Sequence, residues 1–279
     1  MNNSKIIVIT GASSGIGKAT ALYLLEKGHK VYGLARRVDK MDDIIKKGGV
    51  AKEMDVTNHQ QVKEVIASII ETEGRIDVLV NNAGYSIYGP IEDTSYEMAK
   101  QQFEVNLFGL VEVTKAVLPI MRKQKSGIIF NMSSMGGKIY MPLMGWYGAT
   151  KWALEGWSDV LRLEVKQFGI KVVIIEPGMV KSELAENTLL HAAENKNTAY
   201  FELKKTILAG LVNTFNPDAS SDPIVVAKVI ETAMHSTDPE TRYPVGNMAM
   251  ENIETRASMS DKAYDTLVME QLESAANLK

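Results

Sequence analysis

Tyr147 and Lys151 stand four positions apart in the run Trp146-Tyr-Gly-Ala-Thr-Lys151. On a helix that spacing puts both side chains on one face. A phenol with its ordinary pKa near 10 is a poor base at neutral pH, and lowering it by ~3 units takes ~4 kcal/mol in favour of the phenolate. One ammonium at ~4 Å, in an effective dielectric of ~20, supplies about that much. The pair can therefore give and take a proton near neutrality with neither a metal nor a histidine. By itself such a pair is an ordinary surface motif, and its meaning depends on what the chain places around it. The four histidines, at 29, 59, 191 and 235, are scattered, and there is no cysteine. Thiolate nucleophiles, disulfides and cysteine-ligated metals are excluded, and no metal site is expected.

A second constellation lies near the start. Thr10-Gly-Ala-Ser-Ser-Gly-Ile-Gly17 places glycines at 11, 15 and 17, after an apolar strand and before a helix with an apolar stripe. Glycine permits positive φ and close backbone approach, so such a loop can turn tightly and aim its N–H groups at a pyrophosphate. The spacing predicts a dinucleotide site. The next strand ends at Leu34-Ala-Arg-Arg37, roughly twenty residues past the last glycine. An acid there would hold a ribose 2′-hydroxyl, whereas an arginine accommodates a 2′-phosphate. Ala35 takes the acid's place and Arg36 follows. A guanidinium grips phosphate in two-pronged fashion, so NADP(H) is expected in preference to NAD(H).

The elements that must hold these groups alternate. Residues 5–10 are apolar on consecutive positions, as in a parallel strand buried on both faces. Ile16, Ala19, Thr20, Tyr23 and Leu24 follow at helical spacing, stopped by Gly28. Further strands are predicted at 30–34, 50–54, 77–80, 128–132 and 171–176, and helices along the stripe from Val62 to Ile70, over about 95–125 and over 146–168. This order implies an α/β fold, a doubly wound parallel sheet with helices on both faces, in a single domain of 1–279 with its core at 5–182. Residues 182–221 read as two short helices with a polar connector at 194–198, and 183–221 as a lid over the site. Asp222 can cap a helix at 224–234, and 242–245 can form an edge strand. The tail at 250–279, with Met259, Ala263, Leu267 and Gln271 at fourfold spacing, is predicted to be an amphipathic helix whose docking place the sequence does not give.

Composition is ordinary for a globular chain: 279 residues, 45% hydrophobic, 23% charged, formal charge −3. That balance gives no basic footprint, so neither nucleic acid nor a membrane is expected as a partner. The opening residues carry no signal-peptide pattern, which makes the cytoplasm the expected location.

Five motifs occur in one order: Thr10-Gly-x-x-x-Gly-x-Gly17, Asn81-Asn-Ala-Gly84, Ser134, Tyr147-x-x-x-Lys151 and Pro177-Gly178. In order and spacing the chain resembles the short-chain dehydrogenase/reductase family, in its short single-domain Rossmann branch, over about residues 5–182. The resemblance implies an oxidoreductase that moves a hydride between NADP(H) and a carbonyl or secondary alcohol. It makes Tyr147 the acid and base, assisted by Lys151, which also binds the nicotinamide ribose. Ser134, rather than its neighbour Ser133, would hydrogen-bond the substrate oxygen, and Asn106 would hold a relay water to the lysine. It further implies cofactor contacts at Gly11, Ser13, Ser14 and Ile16 in the loop, at Asp55 and Val56 beside the adenine, at Asn82, Ala83 and Gly84 along the ribose, and at Val180 beside the carboxamide. Asn81-Asn-Ala-Gly84 can alternatively serve mainly to stabilise the central sheet, and Asn106 can be a buried amide tying backbone. Ser182 departs from the family's usual threonine but keeps a hydroxyl. A homodimer or homotetramer is implied by resemblance only, with Trp152 and Trp157 on the helix that similar enzymes pack between subunits, although core burial explains both tryptophans equally well.

Substrate identity is not legible. Met132, Met135, Met141, Met144 and Met179, with Tyr85, Tyr88, Tyr140 and Trp146, suggest an adaptable apolar pocket for a small-molecule carbonyl or alcohol. The competing function is a catalytically silent NADP-binding sensor or scaffold on the same fold. The longer sugar-nucleotide epimerase branch shares Tyr-x-x-x-Lys, but has a shorter first gap in its glycine loop than Gly11-x-x-x-Gly15.

Overall fold

The computed structural model describes residues 4–181, 198–214 and 220–277. Seven parallel strands form its centre in the order β3-β2-β1-β4-β5-β6-β7. They are β1 (Ile6–Thr10), β2 (Lys30–Ala35), β3 (Val50–Glu53), β4 (Val78–Asn81), β5 (Gly127–Met132), β6 (Ile170–Pro177) and β7 (Arg242–Val245). The helices are α1 (Gly15–Glu26), α2 (Asp42–Lys46), α3 (His59–Glu73), α4 (Tyr96–Phe103), α5 (Leu110–Gln124), α6 (Gly145–Val165), α7 (Phe201–Thr214), α8 (Ile224–His235), α9 (Ala249–Ala257) and α10 (Asp261–Asn277).

The continuous apolar runs have their reason in burial on both faces. Ile7, Ile9, Val78 and Val80 face one core, with α1 and α8 over it, while Val8, Leu79 and Ile129 face the other, under α3, α5 and α6. Phe130 is fully buried at the centre of β5, and cutting such a ring back to alanine costs about 3–5 kcal/mol. The doubly wound parallel sheet read from the sequence is therefore the observed one. Strand order reverses between β1 and β4, which opens a crevice above the carboxyl ends of the strands. The glycine loop, Arg36, Asn82, Ser134 and Gly178 each follow a strand there.

Two elements depart from expectation. The helix predicted over 95–125 begins where expected, with Ser95 Oγ accepting from the Met98 amide at 3.2 Å, but a π-turn over Glu104–Gly109 separates α4 from α5. A π-turn is a single-turn irregularity inside an otherwise continuous helix and has no composition signal of its own, so the sequence reads as one helix. The tail is two helices, and α10 buries Tyr264, Val268 and Leu272, while Ala263 and Gln271 of the predicted stripe are exposed. Both rows have fourfold spacing, so periodicity alone could not choose between them. The tail docks on α7 and on the segment before α6.

The smaller expectations fare better. Asp222 Oδ1 accepts from the Ile224 amide at 2.9 Å as a cap should, and β7 pairs with β6. Ser182, His191, the connector at 194–197 and the stretch 215–219 lie outside the described residues; of the helices expected in 182–221, α7 is the described one. No helix among the described residues is long and apolar enough to cross a membrane.

Candidate active site

The loop after β1 is shaped by what it must avoid. Gly11 has φ +68°, and a Cβ there would lie 2.8 Å from Ala83 Cα. A Cβ on Gly17 would lie 2.4 Å from both Asn82 Nδ2 and the Gly11 carbonyl oxygen. Only glycine lets loop, helix and the end of β4 close this tightly. Asn82 secures the arrangement: its Nδ2 donates to the carbonyls of Thr10 (3.0 Å) and Gly11 (3.2 Å), and its amide donates to Thr10 Oγ1 (3.0 Å). Ser14 caps α1 in an extended conformation with no side-chain bond to the helix, which leaves the first-turn amides directed at the cavity.

At the end of β2, Ala35 is buried and both arginines are exposed. Arg37, passed over in the sequence, reaches back to Ser13 Oγ (3.4 Å) and Ser14 Oγ (3.3 Å). Since β2 stops at Ala35, the pair Arg36-Arg37 was the available signal that two guanidiniums flank this corner. Asp55 and Val56 line the same end of the cavity. Asp55 Oδ1 accepts from the amide and hydroxyl of Thr57 at 2.9 and 2.8 Å.

The cavity, of about 960 Å³, runs from these arginines past Ser134 and Tyr147 to α10. Gly11, Ser13, Ser14, Ile16, Arg36, Asp55, Val56, Asn82, Ala83, Gly84, Ser134, Tyr147, Lys151 and Val180 all line it. Tyr147 and Lys151 sit on the buried face of α6, 7% and 6% exposed. Lys151 Nζ lies 5.7 Å from the phenol ring centre and donates to the Met132 carbonyl at 2.8 Å. Ser134 hydrogen-bonds the phenol, and its Oγ also accepts from the Gly136 amide at 3.0 Å.

The electrostatics differ from the sequence argument. Burial pushes the Tyr147 phenol up, and the hydrogen bond from Ser134 pulls it down. Burial lowers Lys151 to about 8, with the Glu155 carboxylate acting in the opposite direction. Burial is thus the leading influence on both groups, raising the phenol and lowering the ammonium.

Asn106 is not among the cavity residues. It sits in the π-turn, 1% exposed, with Oδ1 accepting from the Tyr85 amide (3.0 Å) and Nδ2 donating to the Tyr85 carbonyl (2.9 Å) and Thr150 Oγ1 (3.2 Å). Its side chain ties backbone, which is the alternative weighed in the sequence. Asn81 likewise serves the sheet, donating to Thr114 Oγ1 and Asn131 Oδ1, both at 2.9 Å.

The five methionines and Tyr85, Tyr88 and Tyr140 line the cavity, whereas Trp146 lies edge-on to Phe103 with ring centres 6.4 Å apart, away from it. The far wall escaped the sequence: Tyr264, Val268 and Leu272 of α10, with Met248 and Asn252, complete it. The buried stripe of α10 was the signal, legible only once its docking face is known.

These features have counterparts among known proteins. The family model for short chain dehydrogenase matches residues 5–192. The 3-ketodihydrosphingosine reductase of Bacteroides thetaiotaomicron is 43% identical over 200 residues, covering 70% of this chain and 71% of that protein. A short-chain dehydrogenase from Streptomyces avermitilis matches with a TM-score of 0.81 and 31% identity over the whole of both chains. Serine dehydrogenase complexed with NADP+ matches at 26% identity, TM-score 0.75, covering 86% of this chain and 94% of that one. Xylitol dehydrogenase bound to NAD+ matches at 26%, TM-score 0.74, covering 88% and 99%. Structures similar to this chain therefore hold either nucleotide.

Proposed function

The chain belongs to the short-chain dehydrogenase family, and on that premise we propose that it is an NADP(H)-dependent oxidoreductase interconverting an apolar ketone and its secondary alcohol. The observation that carries this reading is the meeting of Tyr147, Lys151 and Ser134 at one buried place in the cavity, in line with the glycine loop. The glycine cradle fits a dinucleotide, because a Cβ at Gly11 or Gly17 would collide with Ala83, Asn82 or the Gly11 carbonyl and spoil the tight turn that can aim loop amides at a pyrophosphate.

Gly11, Ser13, Ser14 and Ile16 would bind the phosphates, and Arg36 with Arg37 the 2′-phosphate. Asp55 and Val56 would bracket the adenine, Asn82, Ala83 and Gly84 the ribose, and Val180 the carboxamide. The bound nicotinamide supplies or accepts the hydride. In reduction, Tyr147 Oη gives its proton to the substrate oxygen, and in oxidation it takes that proton back. Ser134 Oγ donates a hydrogen bond to the same oxygen, orienting it and stabilising the charge that develops there. Lys151 holds the nicotinamide ribose hydroxyls and favours the phenolate. Asn106 would serve this chemistry through a water on its backbone, since its side chain is engaged elsewhere.

The substrate class rests on the methionine-lined wall and on α10, and it accords with the ketone named for the Bacteroides relative. We further propose one domain over 1–279 and a homodimer or homotetramer; Trp152, Val160 and Leu163 leave α6 with exposed apolar side chains suited to a second copy.

A carbonyl panel of steroids, quinones, sugars and aliphatic ketones, followed at 340 nm with NADPH, tests the reading. Long or bulky apolar ketones should turn over at least ~10-fold faster than small polar ones, as several buried methylenes at ~0.8 kcal/mol each imply. The reverse ranking would remove the apolar pocket. Tight NADPH binding with no turnover of any carbonyl would favour the silent sensor.

A further inference from the structure

The face of α6 that carries Tyr147 and Lys151 bears a third polar side chain, Glu155, one turn beyond the lysine and 4% exposed. A buried carboxylate persists only where other charges and donors hold it. Its Oε2 meets Arg242 Nε of β7 at 3.0 Å and Lys138 Nζ, from the turn after Ser134, at 3.2 Å. Arg242 in turn grips Asp159 Oδ2 at 2.7 Å, and lies 3.6 Å from Glu176 Oε1 at the end of β6. The carboxyls of Glu155 and Glu176 are within hydrogen-bonding reach, and each keeps a buried oxygen without a donor. A proton on Glu176, offered to Glu155, supplies what both lack. Burial and the Glu155 charge push Glu176 up to about 7, which makes that proton available near neutrality.

Lys151 itself has no carboxylate at ion-pair distance among the described residues. Facing it are Tyr147 and Glu155 from its own helix and the Met132 carbonyl from β5. Behind Glu155 stand Lys138 from the turn, Glu176 from β6, Arg242 from β7 and Asp159 from α6. Burial works against the ammonium, and Glu155 is the charge that works for it.

We propose that Glu155 is a positioning residue for Lys151, a buried counter-charge that keeps the lysine an ammonium beside Tyr147, with Lys138, Arg242 and Glu176 setting how much of that charge the lysine feels. The inference rests on the proton chemistry proposed above for Tyr147 and Lys151. It also gives one purpose to a cluster that joins α6, the loop carrying Ser134, the strand end before Pro177-Gly178, and β7.

The direct test is the titration of Lys151 in the cofactor-free protein, followed by carbon NMR of side-chain-labelled lysines and assigned through Lys151→Arg. The native midpoint should lie near 8. A lysine that loses its counter-charge gives up its proton at lower pH. Glu155→Gln should therefore lower the midpoint by about one unit, a roughly tenfold weaker hold on the ammonium proton. Glu155→Asp, which keeps the charge, should restore it. The alkaline limb of ketone reduction should move down in step. Lys138→Gln, at a partly exposed side chain, should move both the other way by a smaller amount, and it carries the test if Glu155→Gln does not fold. Unmoved midpoints and limbs, even with a lower melting temperature, would reduce Glu155 to a structural strut and overturn the proposal. Retained turnover in Tyr147→Phe would instead sink the underlying reading, leaving the lysine titration to be judged separately.

Discussion

Tyr147→Phe should bind NADPH as the native protein does and lose ketone turnover by about 10³-fold or more. General acid–base catalysis by a positioned side chain is worth roughly 10²–10⁴-fold, and this substitution removes the one phenolic oxygen held by Ser134 in the cavity. Little else should change. The ring keeps its burial and its stacking on Tyr88, with centres 6.2 Å apart. The lost hydrogen bond costs about 1 kcal/mol in stability. Turnover at 340 nm, set beside NADPH affinity from fluorescence and a melting curve, separates the two effects. Near-native turnover would remove Tyr147 from the chemistry.

The second large effect concerns the nucleotide. Arg36→Ala combined with Arg37→Ala should reduce the preference for NADPH over NADH by about 10²-fold or more, acting mainly on the KM for NADPH. Charge-assisted hydrogen bonds are worth about 1.5–3 kcal/mol each, and solvent exposure of both side chains holds the sum toward the low end. Arg37 should matter at least as much as Arg36, because it already spans to the hydroxyls of Ser13 and Ser14 at the mouth of the loop. Paired KM measurements on the single and double variants decide it, and a native enzyme that prefers NADH would contradict the assignment.

Much of this is legible in the sequence. Strands buried on both faces read as continuous apolar runs, so β1, β2, β4, β5 and β6 stand out. The glycine loop announces itself because no other residue type tolerates the approach of Ala83 and Asn82. What stayed hidden follows from three physical facts. Charge partners distant in sequence cannot be paired by spacing, so the cluster of Glu155, Glu176, Arg242 and Lys138 was invisible. An i, i+4 stripe fixes a helix face only to within one residue, so α10 was assigned Ala263 and Gln271 when Tyr264 and Leu272 are buried. A nearby positive charge is easy to read from a motif, whereas the burial that opposes it is not. That is why Lys151 was credited with acidifying Tyr147 when burial is the largest influence on both groups.

These threads meet at one place, where a phenol and an ammonium must face a nicotinamide ring. A crystal structure of the protein with NADP+ examines that place directly. The expected result has the pyrophosphate over Gly11 to Gly17, the 2′-phosphate between Arg36 and Arg37, and the nicotinamide ring beside Tyr147 Oη with Lys151 Nζ on its ribose. A nucleotide bound elsewhere, or a nicotinamide turned away from Tyr147 and Lys151, would contradict the proposed chemistry, whatever the other motifs suggest.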